Sequence, residues 1–121
     1  MEPGPFFTEY EFFCPCGKCH LNYVDMDEDF IFDLKRARAR AEVPFILTST
    51  IRCIEYNRTM SKDTSSHLKG VAADIACTTS YHRYKIIESL FWVGLTRFGI
   101  RKDFIHVDRD MDKPKELTWV Y

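Results

Sequence analysis

The chain has 121 residues, enough for one domain with a single modest core and too few for two. Its composition, 45% hydrophobic and 29% charged, is that of a folded globular protein and excludes a disordered one. Basic and acidic residues number 17 and 18, so the net charge of −1 leaves no electrostatic footprint for nucleic acid or for an anionic membrane surface.

In chain order, residues 1–24 read as an irregular, cysteine-rich lead-in to one domain spanning 1–121. Residues 1–5 offer neither a positive n-region nor an apolar h-region, so the expectation is a monomer made in the cytoplasm without a secretory signal. The longest apolar stretch, 90–95, is far too short to cross a bilayer, so no membrane insertion is expected. Thr8 followed by Glu11 suits a short capping box. Residues 27–43 predict a helix, with acids crowding its start, Lys and Arg its end, and Pro44 closing it. Residues 45–52 predict a strand and 53–66 a polar loop. Residues 71–76 predict a short apolar strand carrying a single carboxylate, Asp74. Residues 79–93 predict a second helix, with Tyr84, Ile87, Leu90 and Phe91 at helical spacing and Gly94 as its stop. Residues 104–108 and 117–121 predict two more strands. The fold class is α+β, a small, mostly antiparallel sheet flanked by two main helices. The aromatic groups Tyr10, Phe12, Phe13 and Phe91, Trp92 are read as packing, and His20 and His82 as surface groups.

Chemistry concentrates in two stretches. In Ser65-Ser66-His67-Leu68-Lys69-Gly70-Val71-Ala72-Ala73-Asp74, a histidine leaves a loop and a strand delivers an aspartate seven residues later. Period-two alternation puts Ala72, Asp74 and Ala76 on one face and the bulkier Val71, Ala73 and Ile75 on the other. A carboxylate among small neighbours on an apolar strand needs a partner, and small neighbours leave room for one. In Asp103-Phe104-Ile105-His106-Val107-Asp108, His106 and Asp108 share a face. Two imidazoles and a carboxylate suit Zn²⁺, and three protein ligands leave a fourth position open for catalysis. Asp103, where that strand begins, could take a proton from attacking water. No His-Glu-x-x-His helix is present, which excludes that class of metalloprotease.

These two motifs, Ser65-x-His67-x-x-Gly70-x-Ala72-x-Asp74 and Asp103-x-x-His106, resemble the D-alanyl-D-alanine carboxypeptidase and dipeptidase family of zinc peptidases. That family includes vancomycin-resistance dipeptidases and phage L-alanyl-D-glutamate endolysins, and shares its fold with the hedgehog signalling domain. The resemblance covers residues 45–121, including a late Trp119-x-Tyr121. It implies one catalytic Zn²⁺ held by His67, Asp74 and His106, with Asp103 as general base. It implies Arg52 as donor to the scissile carbonyl oxygen, Ser65 as a substrate-binding or bracing group, and Asp108 as the partner that orients His106. The implied partner is a peptidoglycan stem peptide, and the implied setting is lysis of the cell wall after phage- or prophage-mediated release.

Five cysteines, an odd number, argue against a complete disulfide framework. Cys14-x-Cys16-x-x-Cys19-His20 offers up to four ligands that could hold a second, structural zinc, with reduced, partly buried thiols as the preferred reading. Cys53 and Cys77 could supply further ligands or pair with each other. Two rival functions stand beside the peptidase: a non-catalytic zinc- or peptide-binding module on the same fold, and a zinc-ribbon-like interaction domain built on the cysteines. Asp103 and Arg52 together favour the enzyme, because a pure binding site has no need of both.

Overall fold

The computed structural model describes residues 7–121; the leader-free reading of residues 1–5 lies outside them. The elements are α1 (Glu28–Ala41), β1 (Leu47–Ser49), α2 (Ile54–Asn57), β2 (Ala72–Ala76), α3 (Ser80–Trp92), β3 (Arg97–Ile100), β4 (Phe104–Asp108) and β5 (Leu117–Val120), with 3₁₀ turns at Glu9–Phe12, Tyr23–Asp25 and Ser66–Lys69. The five strands form one sheet in the order β1-β2-β4-β3-β5, antiparallel except for the β3–β5 pair. The α+β architecture and mostly antiparallel sheet expected from the sequence are therefore present. No helix among the described residues is long and apolar enough to cross a membrane.

The helix α1 starts at Asp27, whose side chain accepts the Phe30 amide at 2.8 Å. It ends when Glu42 turns into the left-handed region, and Pro44 keeps the chain extended beyond it. Both long helices cover the same face of the sheet. Ile31, Leu34 and Ala37 of α1 and Ile86 and Leu90 of α3 meet Ala73, Ile75, Ile105 and Val107 of β2 and β4, all fully or almost fully buried. Truncating Ile75 or Ile105 to Ala here would cost about 2–5 kcal/mol. The alternation read on β2 holds: Ala73 and Ile75 pack in this core, and Asp74 lies on the opposite face.

Several expectations give way to the structure. Of the strand expected over 45–52, only Leu47–Ser49 pairs with β2, and the register is interrupted there. Beyond it the backbone is diverted to hold His67: the Thr50 carbonyl accepts its ring Nδ1, and the Arg52 amide donates to the His67 carbonyl. The loop expected over 53–66 contains the short helix α2, whose N-cap is the Cys53 sulfur. The strand β3 was not expected at all. Its Arg97 and Gly99 break the apolar run Leu95, Phe98, Ile100 that would have announced it. Of the aromatics read as packing, Phe12 is fully buried. Tyr10, Phe13, Phe91 and Trp92 are exposed, and Trp92 instead stacks beneath the Arg40 guanidinium, 4.4 Å from its ring centre. The helix α3 buries Ile86 and Leu90 rather than Tyr84 and Phe91.

Candidate metal centre

The sheet face turned away from the helices carries the polar residues. Asp74 on β2 and His106 on β4 are direct cross-strand partners, and Ala72 lies opposite Asp108. Antiparallel register alone thus sets an imidazole against a carboxylate, with His106 Nδ1 at 2.9 Å from Asp74 Oδ1. His67 comes from the 3₁₀ turn Ser66–Lys69, which Ser65 caps by accepting the His67 amide at 3.3 Å. Gly70 ends that turn with a φ of +70°, and a Cβ there would lie 2.7 Å from the Asp25 carbonyl oxygen, so no other residue fits without a shift of backbone. The turn delivers His67 Nε2 to 3.4 Å from the same Asp74 oxygen.

The protonation pattern follows from the partners. A carbonyl oxygen only accepts, so His67 Nδ1, 2.5 Å from the Thr50 oxygen, carries a ring hydrogen. Nε2 faces Asp74, where it donates when the ring is protonated and would offer its lone pair to a metal ion when it is not. His106 Nε2 lies 2.7 Å from Asp108 Oδ2, an arrangement in which Nε2–H donates to the carboxylate and Nδ1 faces Asp74. Asp108 is itself fixed by Arg97 Nε at 2.6 Å and by the Asp110 amide at 3.1 Å. Burial alone would raise the Asp74 carboxyl, but hydrogen bonds from His106 and His67 outweigh it and hold the group well below the usual carboxylate range. Burial would likewise lower His106, and the hydrogen bonds to Asp108 and Asp74 outweigh it and push the imidazole up.

This donor set fits zinc. A tetrahedral ion with ligand bonds of about 2.0–2.1 Å sets its ligand atoms roughly 3.3–3.4 Å apart. The three side-chain atoms of His67, Asp74 and His106 lie within 4.8 Å of one another, with 2.9 and 3.4 Å for the two contacts to Asp74. Each imidazole reaches that point with one nitrogen while the other is held by an oxygen behind it, the outer support that metal-binding histidines require.

Above the three groups lies an open cavity of about 410 Å³. Arg52 forms one wall. It is buried, with Nη2 at 3.5 Å from Asp74 Oδ2, Nε donating to Ser49 Oγ at 3.0 Å and Nη1 to Asn57 Oδ1 at 3.1 Å. Ser65 also lines the cavity, as do Arg97, Arg101, Phe104 and Lys113. Trp119 and Tyr121 close it from the β5 side, with the indole 5.6 Å from the His106 ring. Asp103 lies at the β3–β4 turn. Its carbonyl accepts the Cys77 amide, and its half-exposed carboxylate stands 3.4 Å from Arg101 Nε, beside the cavity rather than among its lining groups.

The structure therefore brings His67, Asp74, His106, Asp108, Arg52 and Ser65 to one place and leaves Asp103 at the edge. Sequence reasoning missed Arg97 and Asn57, which hold Asp108 and Arg52. It also missed Asp110, which accepts Ser66 Oγ at 2.7 Å and Lys69 Nζ at 2.8 Å beneath the His67 turn. Period two from His106 through Asp108 reaches Asp110, the one signal that could have found it. Nothing in the sequence marked Arg97 or Asn57.

A sequence profile described as Peptidase M15 matches residues 5–108, which takes in Arg52 and all three groups of the centre and stops short of β5. No curated protein and no solved structure matched the chain. With the match covering most of its length, the chain belongs to the peptidase M15 family, zinc-dependent metallopeptidases that include the D-alanyl-D-alanine dipeptidases its motifs resemble.

Proposed function

We propose that the chain hydrolyses peptide bonds in the stem peptides of bacterial cell walls, with one zinc ion held by His67, Asp74 and His106. The observation that carries this reading is the convergence of His67 Nε2, Asp74 Oδ1 and His106 Nδ1 on one point at the floor of an open cavity, with the Arg52 guanidinium alongside. An ion bound there would activate water and polarise the scissile carbonyl.

The rest of the reaction belongs to the chain's own residues. Asp108 keeps the His106 ring in one tautomer and orientation. Arg52, held on two sides by Ser49 and Asn57, donates to the carbonyl oxygen as negative charge develops on it. Asp103 takes a proton from the attacking water and passes it to the amine as the C–N bond breaks, which requires its side chain to leave Arg101 and turn toward the cavity. The products are a free carboxylate and a free amine. Arg52, Arg97, Arg101 and Lys113 on the walls, each beside a carboxylate of the chain, still present N–H donors that can meet the carboxylates of a stem peptide. The setting that suits such a substrate is a chain made in the cytoplasm that reaches the wall once the membrane has been breached by a phage or prophage.

Incubating the protein with purified muropeptides, with and without a chelator, tests the reading. Release of a defined peptide fragment that the chelator abolishes and zinc restores is the expected result. Intact stem peptides at every protein concentration would instead favour a binding module.

A further inference from the structure

Away from the sheet, four sulfurs meet. Cys14, Cys16 and Cys19 from the N-terminal segment and Cys53 from the start of α2 lie with their Sγ atoms within 4.8 Å of one another. All four are free thiols, partly or fully buried. His20, the fourth ligand that the sequence offered, is not in the group, and Cys77 lies elsewhere. We propose that Cys14, Cys16, Cys19 and Cys53 bind a second zinc ion in a closed four-sulfur site that fastens the N-terminal segment to the loop carrying Arg52.

Three observations carry this. The first is size. Zinc–sulfur bonds of about 2.3 Å place the sulfurs of a tetrahedral site roughly 3.8 Å apart, a spacing that four sulfurs within 4.8 Å of one another reach with small side-chain adjustments. The group is too tight to enclose several irons and their bridging sulfides, which leaves room for one ion. The second is the surroundings of the sulfurs. Cys16 Sγ accepts the Lys18 and Cys19 amides, each at 3.2 Å, in a turn that Gly17 makes with a φ of +71°. Cys14 Sγ accepts the Cys53 amide at 3.3 Å and Cys53 Sγ the Tyr56 amide at 3.4 Å, while the Leu21 amide serves Cys19. Every sulfur thus faces at least one backbone N–H, the environment that stabilises a thiolate ligand. The third is connectivity. A pair of disulfides would also consume four thiols, but it would give the amides no negative sulfur to serve.

The site also has something to hold. The N-terminal segment is anchored upstream by Phe7 and Phe12 in the main core and by Glu11, which accepts the Leu47 amide and the Thr50 hydroxyl, and the cysteine turn that follows would be tied to Cys53 by the ion. Cys53 follows Arg52 directly and caps α2, which carries Asn57, the partner of the Arg52 guanidinium. An ion bridging the two segments therefore fixes the backbone on which Arg52 stands. All four sulfurs being spoken for, no coordination position remains open, so the role is structural.

Zinc content of the full-length chain, purified under reducing conditions, decides the matter. Two zinc per chain are expected for the wild type, one for Cys53→Ser, one for the double variant His67→Ala, His106→Ala, and two for Cys77→Ser. After cobalt replacement, the wild type and the double histidine variant should both show the intense sulfur-to-cobalt charge-transfer absorption, and Cys53→Ser should lack it. If Cys53→Ser does not fold, the double histidine variant carries the test, since among the described residues the cysteines are then the one remaining group that could hold an ion. One zinc in the wild type that disappears in the histidine variant overturns the proposal. So does iron in place of zinc, or a native mass short of the hydrogens that two disulfides would remove. None of these outcomes touches the His67, Asp74, His106 centre, whose zinc is lost only with its own ligands.

Discussion

At the sheet, Asp74 and His106 meet because two strands pair in one register, whereas at the N-terminal segment Cys14, Cys16, Cys19 and Cys53 meet on turns that no sheet or long helix supports. The first cluster stands on a core of fully buried Ile75, Ile105 and Val107, so its geometry is set whether or not an ion is bound. Three cysteines of the second lie in the chain between the buried Phe12 and Met26 but on turns that no backbone ladder holds, so an ion there would fix a geometry that strand pairing does not. The difference matches the two tasks. A reacting centre keeps one side open and needs walls that do not move, and a closed site can be used as a fastener.

Breaking the first cluster should have the largest effect. Asp74→Ala or His106→Ala is expected to lower peptidase activity by on the order of 10³-fold or more and to remove one zinc, as metal analysis and fragment release would report. Asp103→Ala should leave the zinc in place and still lower kcat by roughly 10²–10⁴-fold, and wild-type turnover in that variant would remove Asp103 from the mechanism. Arg52→Ala should cost roughly 10²–10³-fold in kcat, again with zinc retained. Asp108→Asn keeps the shape of its partner but not its charge, and should weaken zinc affinity by about 10–100-fold in a competition titration.

Breaking the second cluster should act on stability first. Cys53→Ser is expected to lower Tm by on the order of 10 °C or more, with activity lost only as far as Arg52 loses its footing. Equal melting of Cys53→Ser and wild type would leave the N-terminal segment without the fastening role assigned to it.

The contrast also explains what the sequence made legible. His67, Asp74 and His106 fall in short motifs on or beside strands, where period two says which side chains share a face, and the family resemblance joined the two motifs into one centre. Arg52 could be named only by resemblance, because what holds it, Asn57, lies on a helix of four residues inside a stretch that reads as loop. Cys53 stands far from the other cysteines, and only the path of the backbone around His67 brings it to Cys14, 39 residues earlier in the chain. The strand β3 was hidden for a related reason. Arg97 is buried because Asp108 needs a cation, and Gly99 is bare because Trp119 lies over it, so both interrupt the apolar pattern to serve neighbours distant in sequence.

Gly99 offers the finest adjustment of the catalytic face. A Cβ at this position would lie 2.5 Å from Trp119 Nε1 and 2.8 Å from Tyr121 Cε2, closer than real side chains approach. The backbone of β3 is fixed by pairing on both sides, with β4 and β5, so the rings must give way. Trp119 stacks near His106 and under Arg97, and both aromatics wall the cavity. Gly99→Ala should therefore reshape the substrate wall and leave the reacting groups alone. An overpacking strain of about 1 kcal/mol expressed in binding corresponds to a roughly five-fold rise in KM with kcat and zinc content unchanged. A fall in kcat of the same size would mean instead that the indole helps to position His106, and that the wall and the metal centre are one mechanical unit.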